Sequence, residues 1–146
     1  MRTLILAAVL AAGAPVRAGV IPDGTYSGRG VAKNAAGASF EYELDLVIDS
    51  LNWKYTYRYP GNRVVTWEMD DVGLGEGFFK MVSKAGQDLG GGFCYVSQCR
   101  VRLEVPMNGT KAKVDANMHH LDGVLYTLGE NSLTGSIFTE TLKRQP

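Results

Sequence analysis

The sequence has only two cysteines and two histidines among its 146 residues. It contains no H-E-x-x-H, G-x-S-x-G or phosphate-binding G-x-x-x-x-G-K motif. The histidines are adjacent, which leaves few ways to build a Ser-His-Asp triad, although a hydrolase that uses two carboxylates would leave no motif. Lys and Arg together number 15, as do Asp and Glu, without the basic stripe of a nucleic-acid binder. We expect no enzyme activity, no cofactor and no nucleic-acid partner.

Long apolar runs are missing after residue 18, so the sequence predicts no transmembrane helix there. The first residues differ, because Arg2 precedes the apolar stretch Leu4–Ala14 and a small residue stands at Ala18. This pattern predicts a signal peptide over residues 1–18, cleaved after Ala18. The mature domain, residues 19–146, then has a net charge of about −2 and belongs in the periplasm or outside the cell.

The two cysteines, Cys94 and Cys99, have the spacing C-x4-C, which is neither a redox C-x-x-C motif nor a complete zinc site. In an exported protein an even cysteine count favours a disulfide. We predict a bond across a hairpin with its tip at Val96-Ser97-Gln98.

Apolar and charged residues alternate strictly in several segments, most clearly over Phe40–Leu46. A period of two is that of a β-strand, whose successive side chains point to opposite faces. Turn residues such as Pro60-Gly61 and Asn108-Gly109 separate the segments. The predicted strands cover residues 24–31, 40–48, 53–59, 63–69, 78–82, 90–95, 99–105, 111–118, 124–128 and 133–142.

This succession of short strands predicts an all-β fold, an antiparallel up-and-down meander closed into a small barrel of 8–10 strands. A β-sandwich is the alternative. An outer-membrane barrel would also alternate, with its apolar face toward lipid, but most of the strands are shorter than the 9–11 residues needed to span a bilayer.

The opening Asp23-Gly24-Thr25-Tyr26-Ser27-Gly28 resembles the first strand of the calycin superfamily, which includes lipocalins and avidins. Those families have Gly-x-Trp, and here the aromatic residue is Tyr26. The resemblance implies a cup-shaped barrel that binds a small apolar molecule. It also implies closure around Gly24, Tyr26 and a basic residue of the last strand, Lys143 or Arg144, by a cation–π contact with Tyr26.

Aromatic residues are the candidate lining of such a cup, because they offer a large contact area and, in tyrosine, a polar group. An equally ordinary interpretation is that they fill a solid barrel. The candidate ligand-binding residues are Tyr42, Trp53, Tyr55, Tyr57, Trp67, Phe79 and Tyr126.

Two further patterns suggest metal sites, but each has a simpler interpretation. His119 and His120 point to opposite faces of a strand, so we place one on the surface and one near the barrel rim. The acidic, glycine-rich segment 70–77 lacks EF-hand spacing and is interpreted as a solvated connection. We predict no metal site.

Two functions follow as hypotheses. The first is an exported soluble barrel that binds a hydrophobic ligand or lipid in its interior. The alternative is a protein–protein module, such as an inhibitor of a protease or lysozyme, that acts through the disulfide-stapled loop.

Overall fold

A computed structural model describes residues 21–107 and 110–146, which form ten antiparallel β-strands and no helix. Each strand pairs with its neighbours in sequence, and the first pairs with the last, so the sheet closes into a barrel. The strands are β1 (Gly24–Lys33), β2 (Ser39–Asp49), β3 (Asn52–Tyr59), β4 (Arg63–Gly75), β5 (Phe78–Ser83), β6 (Asp88–Tyr95), β7 (Gln98–Met107), β8 (Thr110–Leu121), β9 (Val124–Asn131) and β10 (Ser136–Arg144).

The predicted all-β meander, closed into a barrel, is confirmed. The predicted signal peptide, residues 1–18, and the Asn108-Gly109 turn lie outside the described residues. Within the described ranges, none of the chain forms a helix of the length and apolarity needed to cross a bilayer.

The alternation in the sequence separates an inner from an outer face. On β2, Tyr42, Leu44 and Leu46 are buried, whereas Glu41 and Glu43 are exposed. Outer side chains form ion pairs between strands, as between Arg58 and Asp45. The apolar face therefore fills the interior, and the charged face covers the outside.

The hairpin turns define two ends of the barrel. The upper end carries the described turns 34–38, 60–62, 84–87 and 132–135, and the lower end carries 50–51, 76–77, 96–97 and 122–123. Because β1 begins and β10 ends at the lower end, both described termini also lie there.

The segment 70–77 departs from the sequence prediction. It was predicted to be a connection, but β4 continues to Gly75 and pairs with β5, with an irregularity between Gly73 and Gly75. A second irregularity between Met81 and Val82 lies opposite Gly90 and Asp88. Such irregularities increase local twist and help a sheet to curve.

Strands β1 and β10 close the barrel, and their register places Tyr26 opposite Arg144. Tyr26 is fully buried, and its hydroxyl donates a hydrogen bond to the Pro22 carbonyl at 2.8 Å. The Arg144 side chain donates to the Asp23 carbonyl and passes so close to Gly24 that a Cβ there would meet Nε at 2.8 Å. The three residues predicted for closure therefore meet at the lower end.

The aromatic partner of Tyr26 is His120, whose ring lies 6.0 Å away at an interplanar angle of 87°. Burial raises the pKa of the Tyr26 hydroxyl, and the nearby charge of Arg144 opposes that shift. The implied cation–π contact with Tyr26 is not formed by Arg144 or Lys143 among the described residues. Arg144 instead donates a hydrogen bond to backbone, and Tyr26 packs edge-on against His120.

Candidate functional site

A cavity of about 490 Å³ opens at the upper end of the barrel. This volume falls within the range of small-molecule pockets, roughly 300–1,000 Å³. Its lining is predominantly apolar and comprises Ala32, Phe40, Tyr42, Tyr57, Tyr59, Pro60, Arg63, Trp67, Ala112, Val114, Asn131, Thr134, Ser136, Phe138 and Glu140.

One wall of the cavity is aromatic because β3 carries an aromatic residue at every second position from Trp53 to Tyr59. Tyr55 and Tyr57 stack with ring centroids 6.0 Å apart, and Tyr57 stacks on Tyr59 at the same distance. Trp67 on β4 lies 5.0 Å from Tyr57, and Tyr42 on β2 lies 5.4 Å from Tyr59. These centroid spacings are those of favourable aromatic pairs, so the wall is held by ring–ring contacts as well as by the strands.

Small side chains at two other positions of the lining help to leave this space open. Ala32 and Ala112 line the cavity from β1 and β8. Gly30 on β1 lies against the Tyr42 ring, and a Cβ at this position would come within 2.3 Å of it. A larger residue at position 30 would therefore force the Tyr42 ring to move.

The deepest polar group in the cavity is the carboxyl of Glu140, only 5% exposed. The Tyr42 hydroxyl donates a hydrogen bond to Glu140 Oε1 at 2.8 Å, and the Thr127 hydroxyl donates another. Burial raises the pKa of Glu140 to about 7, and these two hydrogen bonds oppose that shift. The carboxyl is therefore partly protonated near neutral pH.

The tyrosines around Glu140 stay protonated at physiological pH. Burial, together with the nearby Glu140 carboxyl, raises the pKa of Tyr42 and Tyr57 well above 10. At the mouth, the Arg63 guanidinium lies 5.3 Å from the centre of the Tyr59 ring. The cavity thus has an aromatic wall, the carboxyl group of Glu140 at its bottom and the positively charged Arg63 at its rim.

The lower half of the barrel is filled with buried apolar side chains. Leu44, Leu46, Met69, Met81 and Leu125 are among its almost completely buried side chains. The predicted disulfide is present between Cys94 and Cys99, and both cysteines are buried in this core. The interior is therefore a cup above and a packed core below.

The structure divides the seven candidate ligand-binding residues into three groups. Tyr42, Tyr57 and Trp67 line the cavity. Tyr55 packs beside Tyr57, while Trp53 and Phe79 are buried in the core and are not cavity-lining.

Tyr126 is on the other side of the sheet, and its prediction as an interior residue is wrong. It is 46% exposed and lies on the outer surface, in register with His119 and Thr141. The inner positions of β9 are instead Leu125, Thr127 and Gly129.

Sequence reasoning missed Glu140, Phe138 and the mouth residues Phe40, Tyr59 and Arg63. One signal for Glu140 was available. It stands between Phe138 and Leu142 in the apolar phase of β10, where a carboxylate is unusual unless it has a partner.

The two adjacent histidines do not converge. His120 follows Met118 on the inner face and packs against Tyr26, whereas His119 lies with Tyr126 on the outer surface. Among the described residues, no group of three or more His, Cys, Asp or Glu side chains is arranged to hold a metal ion.

The stapled hairpin has a two-residue turn, Val96-Ser97, at the lower end of the barrel. Tyr95 is 72% exposed and Val96 is 67% exposed, and Val96 has a φ of 53°. A positive φ is uncommon for a β-branched residue. The loop is thus fixed at its base by the disulfide and carries two exposed apolar side chains.

No protein-family model and no curated protein matches the chain. A solved structure of a redesigned β-barrel is similar, with 18% sequence identity and a TM-score of 0.42, over 85% of this chain and 91% of that one.

Proposed function

We propose that this protein is an exported β-barrel that binds a small hydrophobic ligand in the cup at its upper end, without a chemical step. The observation that carries the proposal is the apolar cavity of about 490 Å³ with an aromatic wall. A ligand there would bury its apolar surface at about 25 cal/mol per Å². The signal-like segment 1–18 and the disulfide support export, because disulfides persist in oxidising compartments.

The proposal predicts that binding depends on the residues of the aromatic wall. The neutral fluorophore N-phenyl-1-naphthylamine is a suitable probe, because it is apolar and small enough for the cavity. We expect Trp67→Ala and Tyr57→Ala to weaken its binding at least tenfold, since each removes a large ring from the cavity wall. The measurement is a fluorescence titration, with circular dichroism to verify folding.

Tyr126→Ala is the matched control, because it removes a tyrosine ring from the outer surface of the same barrel. Unchanged affinity in both cavity variants, or equal loss in Tyr126→Ala, would contradict binding in the cup. Native mass spectrometry of protein purified from its exported fraction, followed by organic extraction, then identifies the class of any natural ligand.

A second candidate function is a protein–protein module that acts through the stapled hairpin, favoured by the exposure of Tyr95 and Val96. The disulfide preorganises this loop, which lowers the ordering cost of binding. We expect replacement of Val96 and Gln98 by Ser to abolish capture of an envelope protease or lysozyme and to leave the melting temperature unchanged. Retained capture by the variant would contradict this function.

A further inference from the structure

The cavity combines two features that an apolar ligand alone does not require. Six aromatic rings surround it, from Phe40, Tyr42, Tyr57, Tyr59, Trp67 and Phe138. A carboxyl group, that of Glu140, lies at its base. The faces of aromatic rings carry negative electrostatic potential and attract cations within about 6 Å.

The carboxyl of Glu140 lacks a cationic partner in the barrel. Its hydrogen bonds come from the neutral hydroxyls of Tyr42 and Thr127. In the described part of the chain, no Lys, Arg or His side chain forms an ion pair with it. A buried carboxylate normally has a cationic or hydrogen-bonding partner, and a carboxylate offers about four lone-pair sites, more than two hydroxyls occupy.

We propose that the ligand of this cavity is an organic cation, an amine or quaternary ammonium group on an apolar body, whose charge is held between the aromatic rings and the Glu140 carboxylate. This inference rests on the proposed ligand-binding function and specifies the chemical class of the ligand. The rings supply cation–π attraction, the carboxylate supplies the counter-charge, and the small residues Ala32 and Ala112 leave room for the apolar body.

Arg63 supports a competing model, in which the ligand is an anion. It stands at the mouth, 5.3 Å from the Tyr59 ring centre, and would favour an anionic head group at the rim with an apolar tail inside. The observations favour the cation, because Arg63 is solvent-exposed and already stacked on Tyr59, whereas Glu140 is buried. A charge interaction is screened less in a buried site than at an exposed one.

The test compares three probes that share an octyl chain and differ in the head group: octyltrimethylammonium, octanol and octanoate. Each displaces N-phenyl-1-naphthylamine from the protein at pH 8. We expect octyltrimethylammonium to displace the fluorophore at a concentration about tenfold lower than octanol, and octanoate to be the weakest. Equal displacement by the cation and the alcohol, or the strongest displacement by octanoate, would overturn the inference.

Glu140→Gln distinguishes the contribution of the carboxylate to cation binding from that of the aromatic rings, because it keeps the shape of the side chain and removes its charge. We expect the preference of this variant for octyltrimethylammonium over octanol to be at least fivefold smaller than that of the wild type, with octanol binding retained. The control Glu43→Gln removes a carboxylate from the exposed outer face of β2 and leaves the preference intact. An unchanged preference in Glu140→Gln would show that Glu140 does not hold the cation.

The pH dependence gives a second readout, since octyltrimethylammonium itself does not titrate. With the pKa of Glu140 near 7, the preference for the cation increases from pH 6 to pH 8. The groups that face Glu140 are Tyr42 from β2, Tyr55, Tyr57 and Tyr59 from β3 and Thr127 from β9. None of these changes charge in that range, because the pKa of each tyrosine is raised above its usual value.

Failure of this inference is distinguishable from failure of the proposed function. If octanol and the naphthylamine bind but the cation is not preferred, the cup takes neutral apolar ligands and only the inference fails. If neither neutral probe binds, direct titration of octyltrimethylammonium decides the inference independently, read from the fluorescence of Trp53→Phe, in which Trp67 is the remaining tryptophan. Absence of a response there overturns it as well.

Discussion

At the scale of single residues, Glu140 couples the cavity to the stability of the barrel. Its pKa is about 7 in the folded protein and 4.5 in an unfolded chain, because burial disfavours the charged form. A folded-state pKa above the unfolded value means that the folded protein binds the proton more tightly. The stability from this group is therefore complete below pH 4.5 and decreases until the pH passes 7.

We expect the free energy of unfolding to fall by about 3 kcal/mol between pH 4.5 and pH 8 because of Glu140. Glu140→Gln removes this dependence, so urea unfolding of both proteins across this range isolates it. Carboxyls such as Asp70 and Asp115 do not contribute there, because hydrogen bonds from Lys84 and Arg100 lower their pKa values. Parallel pH profiles for the wild type and the variant would contradict the prediction.

Residue identity alone did not indicate which aromatic side chains reach the cavity. The alternation assigns Trp53, Tyr57 and Phe79 correctly to the inner face, but their depth in the barrel depends on the register of distant strands. Register depends on closure of the whole sheet, which a local pattern does not contain. Tyr57 therefore lines the cup, while Trp53 and Phe79 belong to the core.

At the scale of single elements, β9 shows where the hydrophobic pattern misleads. Its outer positions Val124, Tyr126 and Leu128 are all apolar, whereas its inner positions are Leu125, Thr127 and Gly129. The more hydrophobic set of alternate residues in β9 thus faces outward. Its inner positions have other roles, because the Thr127 hydroxyl donates a hydrogen bond to Glu140 and Gly129 leaves space for the Phe138 ring. Strands with a clear difference between the phases, such as β2, were predicted correctly.

The hairpin of β6 and β7 provides a prediction at this scale. Its disulfide joins residues five positions apart, so it closes a short loop in the unfolded chain. We expect reduction to lower the free energy of unfolding by about 2 kcal/mol, the loop-entropy value for such a ring.

Urea unfolding with and without dithiothreitol measures this change, and Cys94→Ala/Cys99→Ala serves as a second form without the bond. The cup lies at the opposite end of the barrel, so probe binding by the reduced protein should be retained. A loss of binding that accompanies reduction, with the barrel still folded, would contradict the separation of the hairpin from the cup.

At the scale of the whole molecule, the interior is divided between a packed lower half and an open upper half. The two tryptophans report on the halves separately. Trp53 is buried among the core side chains, and Trp67 lines the cavity. An apolar ligand that enters through the upper mouth therefore contacts Trp67 and not Trp53.

This division predicts that a contact quencher distinguishes the two residues. We expect 8-bromooctan-1-ol to quench the fluorescence of Trp53→Phe, which retains Trp67, at least threefold more than that of Trp67→Phe, which retains Trp53. Phenylalanine preserves an aromatic ring at each site, so the wall and the core lose little contact area. Because bromine quenches at contact distance, equal quenching of both variants would mean that the ligand also enters the lower core, and the cup would then have no fixed base.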